Sequence, residues 1–144
     1  MGGRKTAGDD FQRAFWAAKH ALSAATGAAF SRHGVHEGQQ VILRCLWTED
    51  ELAPGEIANR LGLATPTVTR AATRMEAAGL LRREPHPSDR RLIRLRLTER
   101  GQSLEHAIAA ETDKLTERAL ATLTAGERET LIRALHTIRH NLAG

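Results

Sequence analysis

Residues 56–101 decide the fold, and they read EIANRLGLATPTVTRAATRMEAAGLLRREPHPSDRRLIRLRLTERG. Just before them, Pro54 suits the first turn of a helix, and Gly62 suits the left-handed residue that ends it. Thr65 and Pro66 predict the start of a second helix, with the Thr65 hydroxyl as its cap and the Pro66 ring setting its first turn. The pattern therefore predicts two short helices joined by a tight turn.

A basic β-hairpin follows the second helix, which is expected to end at Gly79. Residues 80–84 and 91–97 predict its two antiparallel strands, and residues 85–90 predict its tip. Apolar and basic side chains alternate along the second strand, as they do in a strand with one buried face. The alternation runs through Ile93, Arg94, Leu95, Arg96 and Leu97. This order predicts a winged helix-turn-helix, whose second helix can enter the DNA major groove while the basic hairpin reaches the backbone or minor groove.

Long amphipathic helices flank this unit on both sides. The pattern predicts one regulator domain over residues 10–144 after a flexible tail at residues 1–9. Its parts are a DNA-reading unit at about residues 37–98 and dimerisation helices at about residues 10–31 and 99–143. The flanks carry more apolar surface than a small winged helix needs, so we expect a homodimer; a monomer that folds its helices back on itself is the alternative. The expected fold class is mainly α with a small β-hairpin wing.

Composition restricts the class of protein further. The 144 residues carry a net charge of +4, and arginines concentrate in the hairpin, which favours a polyanionic partner. Cys45 is the only cysteine, so no intramolecular disulfide can form. No apolar run approaches the roughly 20 residues of a membrane span, and we expect a cytoplasmic protein with no membrane partner. The sequence lacks a phosphate-binding glycine loop and a nucleophile–base set, so we expect neither an enzyme nor a cofactor.

Several motifs, in this order, resemble the MarR family of bacterial transcription regulators over about residues 11–142. They are IANRLGL at 57–63, TVTR at 67–70, EAAGLL at 76–81, DRR at 89–91 and LTERG at 97–101. The resemblance implies a homodimer whose recognition helices enter successive major grooves of a pseudo-palindromic operator, with the wings in flanking minor grooves. It also implies a repressor that is released by a small phenolic or aromatic effector, or by oxidation of a cysteine.

The outer face of the second helix is expected to contact DNA. Helical spacing places six polar or basic side chains on it. These are Thr65, Thr67, Thr69, Arg70, Thr73 and Arg74. Arginine can bond guanine bidentately, and threonine can contact a thymine methyl group or a phosphate. A solvated polar face is the alternative.

The hairpin supplies a second set of expected DNA contacts. At the tip these are Ser88, Asp89, Arg90 and Arg91. The family's Asp-x-Arg pattern implies that Asp89 orients Arg91 into the minor groove. Four strand residues either meet phosphates or form a solubilising strand edge. These are Arg82, Arg83, Arg94 and Arg96.

Three ring side chains are candidates to line an effector pocket, because tryptophan and histidine can stack on and hydrogen-bond to an aromatic acid. They are Trp16, His20 and Trp47, and core packing is the alternative for each. Cys45 lies on the apolar side of its helix, where a thiol is inert, so packing is preferred to a redox role. His136 and His140 are four residues apart, as metal ligands can be, but two histidines make a thin site and a solvated pair is preferred.

Two other functions are consistent with the sequence. One is a winged-helix module for protein–protein interaction, which the arginine-rich hairpin disfavours because protein interfaces usually carry aromatic anchors. The other is an effector-independent activator or architectural DNA-binding protein, which the residues alone do not separate from an inducible repressor.

Overall fold

The computed structural model describes residues 3, 6–36 and 38–144, and within them it has helices and a two-stranded antiparallel sheet. In chain order the elements are α1 (Ala7–Arg32), α2 (Gln39–Thr48), α3 (Pro54–Leu61), α4 (Thr65–Ala77), β1 (Leu81–Pro85), β2 (Ile93–Leu97), α5 (Glu99–Leu120) and α6 (Ala125–Leu142). This architecture confirms the predicted fold class of a mainly α protein with a small β-hairpin wing. Four residues of the predicted tail (Met1, Gly2, Arg4 and Lys5) and the predicted first residue of the reading unit (Glu37) lie outside the described residues.

The chain divides into two compact units, Met1–Thr112 and Asp113–Gly144. The first unit contains an apolar core that α1 to α5 and the wing all help to form. Its largest fully buried side chains include Phe30, Ile42, Leu46, Ile57, Met75, Leu80 and Leu95. Among the described residues, no helix is both long enough and apolar enough to span a bilayer.

Helix α1 begins earlier than the sequence predicts. A tail was expected through residue 9, but the helix begins at Ala7 with Thr6 as its N-cap. The backbone N–H of Asp9 donates to the Thr6 hydroxyl oxygen at 3.2 Å, and the Thr6 N–H donates to the Asp9 carboxylate at 3.3 Å. This capping box satisfies N–H groups that the first helical turn leaves free, which is why the helix extends to Ala7.

Helix α4 begins where predicted but without the predicted cap. Ala64 occupies the N-cap position and makes no side-chain hydrogen bond, so the proposal that Thr65 caps the helix is wrong. Thr65 is already helical, and Pro66 follows it in the first turn, where its fixed φ favours helix. Gly62 (φ 66°) and Gly79 (φ 78°) adopt the left-handed conformation after α3 and α4, as the sequence predicts.

The wing is a short hairpin in which Leu81 stands opposite Leu97. A third segment joins it, because the N–H of Leu95 donates to the carbonyl of Leu52, in the loop between α2 and α3, at 2.8 Å. Leu95 and Leu97 are buried as predicted, but Ile93 is exposed. Ile93 pairs with the last residue of β1, where the hairpin has left the core.

The second unit consists of the end of α5, a tight turn and α6. Thr124 and Glu127 form a capping box at the start of α6. The Arg128 guanidinium donates to the carbonyl of Leu120 at 2.8 Å and to that of Leu123 at 3.3 Å, which closes the turn. Helix α6 buries no residue, and its apolar side chains Leu131, Ile132, Leu135 and Leu142 are exposed.

Candidate nucleic-acid interface

Helix α4 separates a buried face from an exposed one. Val68, Ala72 and Met75 are fully buried against the core. The six side chains predicted to contact DNA are all exposed: Thr65, Thr67, Thr69, Arg70, Thr73 and Arg74. The helix is therefore fixed to the core by one side and offers threonine and arginine on the other.

Arg70 and Arg74 are free to bind a ligand. Within the described part of the chain, neither guanidinium group makes a hydrogen bond or an ion pair. Together with Thr67 they line a cavity of about 380 Å³ beside α2. An arginine without an internal partner keeps all five N–H donors for guanine or phosphate, so these two side chains are the strongest candidate base readers.

The threonines of α4 are partly committed to the helix. The hydroxyl of Thr69 donates to the carbonyl of Thr65, and the hydroxyl of Thr73 donates to that of Thr69, each at 3.1 Å. Thr73 also accepts from Nη1 of Arg83 at 3.2 Å. Since their hydroxyl protons are used, Thr69 and Thr73 can meet a nucleotide as acceptors or through their methyl groups.

At the wing tip, Asp89 holds Arg91. The Asp89 carboxylate accepts from Nε and Nη2 of Arg91 at 3.2 and 3.3 Å, and from the Arg91 backbone N–H at 3.1 Å. The side-chain bonds have the largest effect on the pKa of Asp89, and together with the backbone bond they lower it, so the carboxylate stays ionised. The Arg91 side chain is still 90% exposed, and its guanidinium is therefore oriented but available.

The other two predicted tip residues differ in their surroundings. The N–H and hydroxyl of Ser88 lie 3.2 and 3.0 Å from Nδ1 of His86, which tightens the turn. Arg90 is exposed and has no hydrogen-bond or ion-pair partner among the residues that the structure describes. The tip thus presents one oriented arginine and one free arginine.

Acidic residues outside the predicted site pair with most of the wing's strand arginines. Glu76 binds Arg83, with 3.0 Å between Oε1 and Nη2. Glu51 and Glu84 both bind Arg94 and Arg96 at 3.3 to 3.9 Å. Of the four strand arginines, Arg82 alone has no partner within the described chain. Glu51 was missed because it lies 43 residues from Arg94 in the sequence. Glu76 and Glu84 lie close in sequence to their partners, 7 residues from Arg83 and 10 residues from Arg94, so local signals for these two pairs were present.

The candidate effector residues are not brought together. Nε1 of Trp47 donates to the carbonyl of Gly101 at 2.9 Å, and its ring stacks on Phe30, which fits the core-packing alternative. Trp16 is largely exposed and donates to Gln12 at 2.8 Å. His20 lines a separate cavity of about 620 Å³ between α1 and α2, with Ser23, Gln40 and Arg44.

Cys45 is half-buried at the edge of the core, and burial raises the pKa of its thiol. A raised pKa reduces the thiolate fraction, which agrees with the packing interpretation. His136 and His140 lie along one open groove on α6. No group of three potential ligands among His, Cys, Asp and Glu is close enough to hold a metal in the part of the chain that the structure describes.

Comparison with known proteins gives a consistent picture. A family model described as the MarR family matches residues 35–93. The HTH-type transcriptional regulator TtmR of Methylorubrum extorquens is 32% identical over 131 residues, which make up 90% of this chain and 65% of TtmR. The chain thus spans less than two thirds of the length of that relative.

Solved structures share the fold. The YusO protein of Bacillus subtilis superposes with a TM-score of 0.77 at 27% identity, over 99% of this chain and 100% of that one. A MepR mutant from S. aureus, solved bound to an oligodeoxyribonucleotide, gives a TM-score of 0.71 at 22% identity, over 92% of this chain and 97% of that one.

Proposed function

Because this chain belongs to the MarR family of winged helix-turn-helix transcriptional regulators, we propose that it binds duplex DNA as a homodimer and represses transcription. The observation that carries this proposal is that Arg70 and Arg74 are exposed and make no bond to the residues that the structure describes, on a helix whose opposite face is fully buried. That combination provides a rigid support and free bidentate donors, which base reading in the major groove requires.

The two parts of the site divide the work of recognition. Helix α4 enters the major groove, where Thr67, Arg70 and Arg74 read base edges. Arg91, oriented by Asp89, enters the flanking minor groove and senses its width. Arg90 adds a phosphate contact that strengthens binding without reading sequence. The S. aureus MepR mutant, which has this fold and is bound to an oligodeoxyribonucleotide, supports the proposal that this chain binds DNA.

Homodimer formation accounts for the exposed apolar side chains outside the reading unit. In the first unit, α1 exposes Phe11, Trp16 and Leu22. In the second, α6 exposes Leu131, Ile132, Leu135 and Leu142. Apolar surface of this kind usually marks an interface. A two-fold dimer presents two copies of α4, so its operator is a pseudo-palindrome with half-sites about one helical turn apart.

In the cytoplasm, a small aromatic or phenolic effector binds the dimer and releases it from the operator. The ligand acts by favouring a dimer geometry in which the two copies of α4 no longer match the spacing of the half-sites. The ligand can shift the equilibrium between this geometry and the DNA-bound one only by the difference between its affinities for the two. The cavity that His20 and Arg44 line is the candidate position for such a ligand.

Selection of binding sites from a random duplex pool, followed by a mobility-shift assay on the selected sequence, tests this function. We expect an inverted repeat with half-site centres about 10 base pairs apart. Recovery of no motif, with only weak and salt-sensitive binding, would reject sequence-specific regulation and favour the protein-interaction module.

A further inference from the structure

Two carboxylates and two guanidinium groups form a cluster on the outer face of the wing, which we call the wing clamp: Glu51, Glu84, Arg94 and Arg96. Nη1 of Arg94 lies 3.3 Å from Glu51, and Nη2 of Arg94 lies 3.5 Å from Glu84. Nε of Arg96 lies 3.6 Å from Glu51, and Nη1 of Arg96 lies 3.9 Å from Glu84. Each glutamate therefore contacts both arginines.

Glu84 belongs to strand β1, but Glu51 comes from the loop between α2 and α3. Among the described residues that are not glycine, Glu51 alone has a positive φ, 64°. Its neighbour Asp50 fastens this loop to β2, because one carboxylate oxygen accepts from the backbone N–H of Glu51 at 2.8 Å and from that of Leu97 at 3.0 Å. A left-handed backbone is costly for glutamate, and such strain concentrates at functional positions.

We propose that Glu51, assisted by Glu84, withholds Arg94 and Arg96 from DNA phosphates and so limits the affinity of this protein for non-operator DNA. The inference rests on the proposed function, since it concerns how the wing meets duplex DNA. Phosphate contacts carry no sequence information, and every additional one raises binding to all DNA alike. Pairing the strand arginines internally confines the wing's contacts to its tip and to Arg82, which raises the ratio of operator to non-operator binding.

The two arginines of the wing clamp would respond differently to the loss of the Glu51 charge. The Arg94 side chain is only 20% exposed and contacts both glutamates, so losing Glu51 leaves it bound to Glu84. Arg96 is 51% exposed and stands opposite Arg82, which has no partner among the described residues. Its remaining contact with Glu84 is the longest in the cluster, at 3.9 Å. Removing the Glu51 charge therefore frees Arg96 first and places two uncompensated arginines side by side.

The test measures binding of the full chain to a random-sequence duplex as a function of salt, for the wild type and Glu51→Gln. We expect Glu51→Gln to bind this duplex several-fold more tightly at low salt, with a slope of log K against log salt steeper by about one, the value for one added phosphate contact. Glu105→Gln removes the same charge from an exposed position on α5 and is the matched control. The double variant Glu51→Gln/Arg96→Gln should restore the wild-type slope.

Two outcomes of the salt titration overturn the inference. One is a slope for Glu51→Gln that equals those of the wild type and Glu105→Gln. The other is a steeper slope that Arg96→Gln fails to restore, because a merely structural effect of Glu51 would persist in the double variant. Modification of arginines by phenylglyoxal, followed by mass spectrometry, measures the reactivity of each arginine in the free protein without DNA. We expect Arg96 to react faster in Glu51→Gln than in Glu105→Gln, and equal rates would also overturn the clamp.

Failure of the proposed function has a different signature. In that case site selection recovers no operator, and the wild type binds duplex DNA only weakly or not at all, whatever the phenylglyoxal rates are. If the wild type binds its selected operator and only the variant comparison fails, the clamp alone is rejected.

Discussion

The backbone N–H of Arg83, on strand β1, donates a 2.8 Å hydrogen bond to the carboxylate of Glu76, in the last turn of α4. The Arg83 guanidinium adds bonds of 3.0 and 3.2 Å to the other oxygen of the same carboxylate, and Nη1 reaches the hydroxyl of Thr73 at 3.2 Å. One carboxylate thus joins the wing to α4. This link therefore helps to fix the orientation of the wing relative to α4.

Replacing Glu76 by glutamine should destabilise the protein in a way that depends on pH. The backbone N–H of Arg83 and then its side chain lower the pKa of Glu76. In the unfolded chain that pKa is about 4.3. Since the folded pKa lies lower, the ionised carboxylate contributes its full stabilisation above the unfolded pKa and loses it as the pH falls through the folded pKa. In urea unfolding followed by tryptophan fluorescence, Glu76→Gln should have a lower free energy of unfolding than the wild type at about pH 7. The difference should shrink below about pH 4.

Glu105→Gln, on the exposed side of α5, controls for the loss of a negative charge and should show no such trend. If the free energy of unfolding of Glu76→Gln stays below that of the wild type by the same amount from neutral to acidic pH, the charge of Glu76 does not stabilise the contact with the wing.

Gly101 should not accept a side chain. A Cβ built on it would lie 2.1 Å from the carbonyl oxygen of Leu80, a backbone atom rather than the end of a flexible side chain. We expect Gly101→Ala to lower the free energy of unfolding by about 1–3 kcal/mol, the usual cost of overpacking, in urea unfolding experiments. Gly55→Ala, in α3, is the control, because nothing lies within 4 Å of its Cβ position. Its stability should be unchanged or higher, and a similar loss in both variants would contradict the packing argument.

The features of the fold that could be predicted from the sequence depend on residues that are close together in the chain. Gly62, Pro66 and Gly79 act through their own backbone preferences, so the ends of α3 and α4 could be placed from the sequence to within two residues. The exposed face of α4 followed from helical spacing alone. The cap of α4 was misplaced by one residue, because a threonine beside a proline suits either the N-cap or the first turn.

Contacts between distant parts of the chain could not be predicted in this way. Arg94 and Glu51 are 43 residues apart, and nothing in either segment indicates the other. The same holds for Trp47 and Gly101, which are 54 residues apart, so the sequence left an effector role and a core role open for Trp47. The carboxylates that pair with the wing's arginines include Glu51, which lies far from them in the sequence, and composition alone therefore overstated the basic surface of the hairpin.

Removal of the Arg91 side chain should weaken operator binding without changing which sequence is preferred in the major groove. Asp89 orients this arginine at the tip, and its guanidinium is almost fully exposed. We expect Arg91→Ala to make the slope of log K against log salt shallower by about one. Fluorescence anisotropy with a labelled operator over a range of salt concentrations measures both quantities.

Asp89→Asn tests the orienting role separately. It keeps Arg91 but removes the charge that binds it, so we expect a smaller loss of affinity with a nearly unchanged salt slope. Equal affinities for the wild type, Asp89→Asn and Arg91→Ala would show that the tip does not touch the operator.

Arg70 should carry part of the sequence specificity. It lies on the exposed face of α4, and its guanidinium makes no bond to the described part of the chain that would hold it back from a base. Arg70→Ala should therefore cost about 1–3 kcal/mol of binding to the selected operator, and much less with a duplex mutated at the contacted base pair. Competition mobility shifts with the two duplexes measure this difference. Arg118→Ala removes an exposed arginine from α5 and controls for the general loss of positive charge. If Arg70→Ala weakens binding to both duplexes by the same factor, Arg70 meets a phosphate, and base reading on α4 falls to Arg74 and Thr67.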